Sequence, residues 1–157
     1  MPNCKSPPFE ITLKVRDSCL CLHLQRAARA VARQFDEALR PLDLTNGQFS
    51  LLMSLNRSEP PSIGSVSALL AMDRTTLTAN LKPLERRGLV QTAIDPADRR
   101  SRRLTLTAAG SALLAAAVPV WEETHAATEH LLSGADPERL RTDLRALSGP
   151  RAVALCP

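Results

Sequence analysis

A chain of 157 residues, 44% hydrophobic and 23% charged, has the make-up of one compact globular fold and is short for an enzyme with an elaborate site. Aromatic residues are 3% of it, with no tyrosine and a single tryptophan, Trp121, which argues against a single-strand binder that stacks bases on rings. The net charge is only +4, yet residues 82–103 carry seven Lys and Arg against three Asp and Glu, so the whole excess can be assigned to that stretch. Cations concentrated in this way suit a phosphate backbone, which releases condensed counterions on binding, although an isolated charge run is more commonly a solvated face.

The first residues are polar and proline-bearing and lack the apolar core of a signal peptide, which predicts a cytosolic protein. The longest apolar run, Ala112 to Trp121, is about half of what a bilayer requires and contains Pro119, so no membrane span is expected. Four cysteines at 4, 19, 21 and 156 have no zinc-ribbon spacing and read as thiols in that compartment.

In chain order, residues 1–16 hold Pro2, Pro7 and Pro8 without a clear period and read as a loosely ordered arm. A helix is predicted from about Asp17 to Arg40: Leu20, Leu24, Ala27, Ala28, Val31, Phe35, Ala38 and Leu39 recur at helical spacing, and Pro41 stops it. Thr45 and Gln48 form a capping box, so a second helix starts at Asn46 and ends near Arg57, before Pro60 and Pro61. Ser62 caps a short third helix, and Asp73 caps a fourth that runs to Arg87, with Ala71-Met72 as the turn between them.

In this fourth helix Leu77, Leu81 and Leu84 point inward, while Thr75, Thr78, Ala79, Lys82 and Arg86 share the opposite side. Short hydroxyl and methyl groups let a helix backbone approach base edges, and Lys82 and Arg86 reach phosphates. Pro83 predicts a bend late in the helix, and Gly88 supplies its C-terminal cap. Leu89–Ile94 and Arg103–Leu106 read as two strands joined by the turn Asp95–Asp98, a β-hairpin wing. Thr107 caps a long helix to Leu132 with a kink expected at Pro119, and Asp136-Pro137 opens a last helix ending at Ser148.

The elements divide the chain into the arm (1–16), helices of a dimerisation and linking region (17–57), a winged helix-turn-helix (58–106), C-terminal dimerisation helices (107–150) and a tail (151–157). The fold class is mainly α with a small β-hairpin wing. The first helix and residues 112–132 carry apolar surface that a small winged domain leaves uncovered, and pairing with a second copy would bury it.

On LTNGQFSLL, MDRTTLTANLKPLERRGLV and DPADRRSRRLTLTAAG, the chain resembles the MarR family of bacterial transcriptional regulators over roughly residues 18–148. The resemblance implies a triangular homodimer that sets two winged helices on successive turns of a pseudo-palindromic double-stranded DNA operator. It implies that Asp98 braces the wing, that Arg100 enters the minor groove, and that Arg99 and Arg102 contact phosphates. With the helix residues, the expected DNA-binding set is Arg74, Thr75, Thr76, Thr78, Lys82, Arg86, Asp98, Arg99, Arg100 and Arg102. No cofactor is expected.

Three kinds of signal are compatible with a repressor of this type. Cys21, in Leu20-Cys21-Leu22-His23-Leu24, is similar to the local setting of the reactive cysteine in the family's organic-hydroperoxide sensors, although the tyrosines that hold that cysteine have no counterpart here. A helix start favours the thiolate that peroxides attack, which makes Cys21 and its neighbour Cys19 redox-sensing candidates; a cysteine on an apolar face is as often a small core residue. Alternatively a small aromatic ligand releases the DNA, with Leu24, Phe35, Phe49, Met53 and Trp121 as pocket candidates whose spacing is equally that of plain core. Cys19 and His23, four apart, are weak candidates for a thiophilic metal or arsenite, with Cys4 or Cys156 completing the set.

An enzyme is the competing class. Cys19 and His23 lack a third orienting group, an oxyanion loop and a phosphate cradle, so no catalytic residues are assigned. A winged module that binds protein rather than DNA is the other class, and the basic wing argues against it.

Overall fold

The computed structural model describes residues 6–96 and 98–148. The expected tail at 151–157, Cys4 and Cys156 lie outside the described residues. The chain forms two units, one up to Gln34 and one from Phe35 onward.

In the first unit, helix α1 (Phe9–Ser18) occupies much of the stretch expected as a loosely ordered arm. The prolines precede this helix rather than interrupt it. Pro8 sits at its N-cap with φ −57° and ψ 147°, and its carbonyl accepts from the Ile11 amide at 3.0 Å; Glu10 in the first turn and Arg16 in the last suit the helix dipole. Cys19, extended at φ −76° and ψ 105°, separates α1 from α2 (Leu20–Leu39). The predicted start at Asp17 therefore falls in α1, and the chain breaks where an unbroken helix was expected. At the other end Pro41 acts as anticipated: α2 gives way to a single 3-10 turn, Arg40–Leu42, and then to Asp43 at φ 52°.

The second unit is built on caps and leucines. Thr45 and Gln48 make the reciprocal capping box of α3 (Asn46–Leu55), at 3.2 and 3.0 Å, and Asp36 accepts from the Asn46 amide at 2.6 Å. Ser62 caps α4 (Ile63–Leu69), and Asp73 caps α5 (Arg74–Arg86). Thr107 caps α6 (Ala108–His130), and α7 (Pro137–Ser148) follows. Each such cap contributes about 1 kcal/mol by satisfying an amide that the helix itself leaves unpaired. The helices run through Pro83 and Pro119 without interruption.

Leu39, Leu51, Leu52, Leu77, Leu84 and Leu104 are fully buried, and Phe49, Leu55, Val66, Leu81, Leu89, Val90, Leu114 and Ala117 close the same core. Burying each large side chain stabilises by about 1.5–3 kcal/mol. Helices α3 and α6 both supply part of this core, and the division into two units lies within α2.

Strands β1 (Val90–Ile94) and β2 (Arg102–Leu106) pair antiparallel from Val90↔Leu106 to Ile94↔Arg102. The Pro60-Pro61 segment, read as a helix stop, also extends this hairpin: Ser62 bridges to Arg103, and the Leu104 amide donates to the Pro61 carbonyl at 3.0 Å. Two glycines hold the hairpin to the helices. Gly88 takes the left-handed φ of 68° after α5. At Gly110 an added Cβ would lie 2.0 Å from the Leu89 carbonyl oxygen, so only glycine lets α6 start so close to the strand. In the turn between α4 and α5, Ala71 takes φ 49°, which costs a residue with a Cβ about 1 kcal/mol or more.

Candidate nucleic-acid interface

Helix α5 presents its polar side as the sequence predicts. Leu77, Leu81 and Leu84 are buried, while Arg74, Thr75, Thr76, Thr78, Ala79, Lys82 and Arg86 are exposed. Arg74, Thr75, Thr78, Ala79 and Lys82 line one shallow, largely apolar depression along the helix. Thr76 has another duty: its amide donates to Asp73 Oδ1 at 2.8 Å, and its hydroxyl donates to Asp73 Oδ2 at 2.7 Å. The expected base reader is thus part of the helix cap. These two bonds, the amide first, hold the Asp73 carboxyl below the ordinary carboxylate range. The charge lies against the positive end of the α5 dipole.

The wing turn is held by the Asp98 side chain together with backbone bonds. Asp98 Oδ1 accepts from the Arg100 amide at 2.9 Å, its carbonyl accepts from the Ser101 amide at 2.8 Å, and the Asp95 amide donates to the Ser101 carbonyl at 3.2 Å. Arg99 and Arg100 are exposed at the tip. Arg102, expected on a phosphate, turns its guanidinium back to the carbonyls of Arg99 and Ser101 at 3.1 and 3.2 Å.

Two further arginines of the basic stretch are structural. Arg103 Nε donates to Asp95 Oδ2 at 2.7 Å, and Arg103 Nη1 donates to the Pro60 carbonyl at 2.9 Å; Asp95 is 6% exposed. Arg87, just past α5, donates to the carbonyls of Leu42 (3.3 Å) and Asp43, clamping the end of the helix to the 3-10 turn. The Thr92 hydroxyl donates to Glu85 and ties β1 to α5. Partners 8 and 44 residues apart in Arg103–Asp95 and Arg87–Asp43 leave no local pattern, so the sequence reading counts these arginines only as surface charge.

The candidate sensing residues are placed as follows. Cys21 is exposed in the first turn of α2, where the Gln25 side-chain amide donates to its Sγ at 3.3 Å. Cys19 is half-buried at the end of α1. His23 Nε2 lies 3.4 Å from the Asp17 carbonyl oxygen. Among the described residues no group of three His, Cys, Asp or Glu is arranged to hold a metal, and the pairing of Cys19 with His23 stays at two donors. Phe35 and Phe49 are buried, Phe49 within the main core, whereas Met53 is 42% and Trp121 36% exposed and Leu24 is intermediate. Trp121 stacks on Phe49 with centroids 6.4 Å apart and on His125 at 4.9 Å. No described helix is long and apolar enough to cross a membrane.

Comparison with known proteins decides the family. The MarR family model matches residues 44–101. The chain is 37% identical to the transcriptional regulator HosA of Escherichia coli O111 over 98 residues, 61% of this chain and 71% of HosA. The chain belongs to the MarR family. Other members at similar distance are SarZ of Staphylococcus haemolyticus, 33% identical over 58% of this chain and 62% of SarZ, and the organic hydroperoxide resistance regulator of Bacillus subtilis, 31% identical over 64% and 69%. The matched length is thus just under two thirds of SarZ and just over it for the other two. These MarR relatives are transcriptional regulators rather than enzymes. Among solved structures, the Mycobacterium tuberculosis regulator MosR in complex with DNA is 40% identical, with a TM-score of 0.74, covering 83% of this chain and 94% of that one. Bordetella bronchiseptica BpsR, whose DNA binding is regulated by 6-hydroxynicotinic acid, is 29% identical with a TM-score of 0.71, covering 84% and 100%.

Proposed function

We propose that this MarR-family protein is a homodimeric, sequence-specific binder of double-stranded DNA that represses transcription until a signal releases it. The observation that carries the reading is the α5 face and wing tip together: Arg74, Thr75, Thr78 and Lys82 exposed on one helix, with Arg99 and Arg100 exposed on the adjoining hairpin. A helix of this width enters the major groove, and a cationic finger beside it suits the neighbouring minor groove, where Arg100 would sit. Likeness to MosR, solved with DNA, supports the same use here. Exposed Phe9, Ile11 and Val15 on α1 and Leu140, Leu144 and Leu147 on α7 are the apolar surface that a second copy would cover. The test is binding to random duplex DNA across a salt series in dilute buffer. A log affinity that falls linearly with log salt supports the reader, and salt-independent or absent binding overturns it.

For the signal, we assign the sensing thiol to Cys21. Its exposure in the first turn of α2 leaves the sulfur open to reagents, and the thiolate is the form that peroxides attack. The thiolate attacks the distal oxygen of a hydroperoxide, the O–O bond breaks, the alcohol leaves and Cys21 becomes a sulfenate. Likeness to the B. subtilis organic hydroperoxide regulator supports this chemistry. Cys21→Ser should bind duplex DNA as the wild type does and keep it after cumene hydroperoxide; release of the variant's DNA by the peroxide overturns the assignment. A second reading rests on the half-open Trp121, stacked between Phe49 and His125, beside the likeness to BpsR: a small aromatic acid displaces DNA without covalent chemistry. Release of the wild-type protein's DNA by 6-hydroxynicotinic acid, with no response of the wild type to peroxide, selects that reading.

A further inference from the structure

Resting on the DNA-binding reading above, we infer that the centre of the α5 face reads thymine by its 5-methyl group, through Thr75, Thr78 and Ala79, rather than by hydrogen bonds from the hydroxyls of Thr76 and Thr78. A hydroxyl carries one proton. In Thr78 that proton is donated to the Arg74 carbonyl at 2.7 Å, and in Thr76 to Asp73 at 2.7 Å. The acceptors that the major groove displays, on guanine, adenine and thymine alike, require donors, and neither hydroxyl can supply one without breaking an existing bond. The outward group that Thr78 retains is its methyl. With Ala79 and Thr75 it lines a depression that is largely apolar, bounded at its ends by the donors Arg74 and Lys82. A concave carbon surface between two cations fits the thymine methyl, the one apolar group on the major-groove edge of the four bases. Arg74 and Lys82 then supply hydrogen-bond discrimination at the ends of the face, and thymine is told apart at its middle by the 5-methyl group.

The test uses the full chain and a duplex recovered by selection from a random pool. Each thymine in the recovered half-sites is replaced singly by deoxyuridine, which keeps every donor and acceptor and removes only the methyl. The expected result is an affinity loss of about fourfold at one or more positions, the transfer value of one methyl-sized group. At one of these positions Thr78→Ser, which keeps the hydroxyl and deletes the methyl, should bind thymine and uridine duplexes alike. Equal affinity of the wild type for every uridine duplex overturns the inference, as does an undiminished preference at every such position in both Thr78→Ser and Thr75→Ser. The wild-type series alone is sufficient if a variant fails to fold. Failure of the DNA-binding reading looks different, since no duplex is then recovered and none binds in dilute salt.

Discussion

At the base of the wing, Arg103 is drawn inward by a carboxylate that is 6% exposed and by the Pro60 carbonyl; at the tip, only a few residues back along the same hairpin, Arg99 and Arg100 stand in solvent. Both regions are arginine-rich and would be counted together in any tally of charge. Their surroundings separate them. A guanidinium that satisfies a buried acid and a main-chain oxygen has its donors spent on the fold, whereas one on a backbone-braced turn keeps its donors for another molecule. Charge density thus locates the interface only coarsely, and hydrogen-bond partners decide which cations belong to it.

The largest expected effect breaks the base. Arg103→Ala should lower unfolding stability by about 2–3 kcal/mol, toward the lower end for an internal ion pair because the arginine side chain is itself 41% exposed. Urea unfolding measures it, and a wild-type midpoint would erase the distinction between base and tip. Next, Arg100→Ala should cost about 1–3 kcal/mol of duplex affinity with no change in the unfolding midpoint, a result opposite in kind. Loss of both together would mean that the tip, too, is structural. A smaller effect sharpens the same contrast on α5: Lys82→Ala should flatten the slope of log affinity against log salt by about 0.9, the mark of one lost phosphate contact, whereas Arg87→Ala should leave that slope as it is. The smallest concerns the start of α5. Because the Thr76 amide and hydroxyl depress the Asp73 carboxyl in the folded protein, the stabilisation it gives is present above the carboxyl's ordinary unfolded value and is lost as the pH falls through the folded one. An NMR titration of Asp73 should therefore show a midpoint below the usual range, and an ordinary midpoint would show that the cap is not formed.

Much of the second unit was legible in advance because its signals are local. Thr45 with Gln48, Ser62, Asp73, Thr107 and Gly88 each act within one turn of their own position, and the observed helix starts coincide with those expected from them. Periodic leucines likewise gave the inward side of α5. The first unit was read less well. Pro7 and Pro8 resemble the breakers of a loose arm, yet a proline preceding a helix is compatible with starting one, and the break at Cys19 has no glycine or proline to announce it. Thr76 illustrates a third difficulty: three threonines within four residues look interchangeable, and only the position of the Asp73 carboxylate shows that the Thr76 hydroxyl is engaged in the helix cap.

The amino-acid sequence by itself determined the helices of the second unit, their caps, the hairpin and the placement of positive charge, because these follow from spacing along one chain. Only the tertiary structure decided which arginines hold the protein together and which face outward, since Arg87 finds its partners 44 and 45 residues back and Arg103 finds one of its own 43 residues back. The physical reason is that a donor's fate depends on the acceptor that folding brings near it, and sequence separation carries no record of that distance.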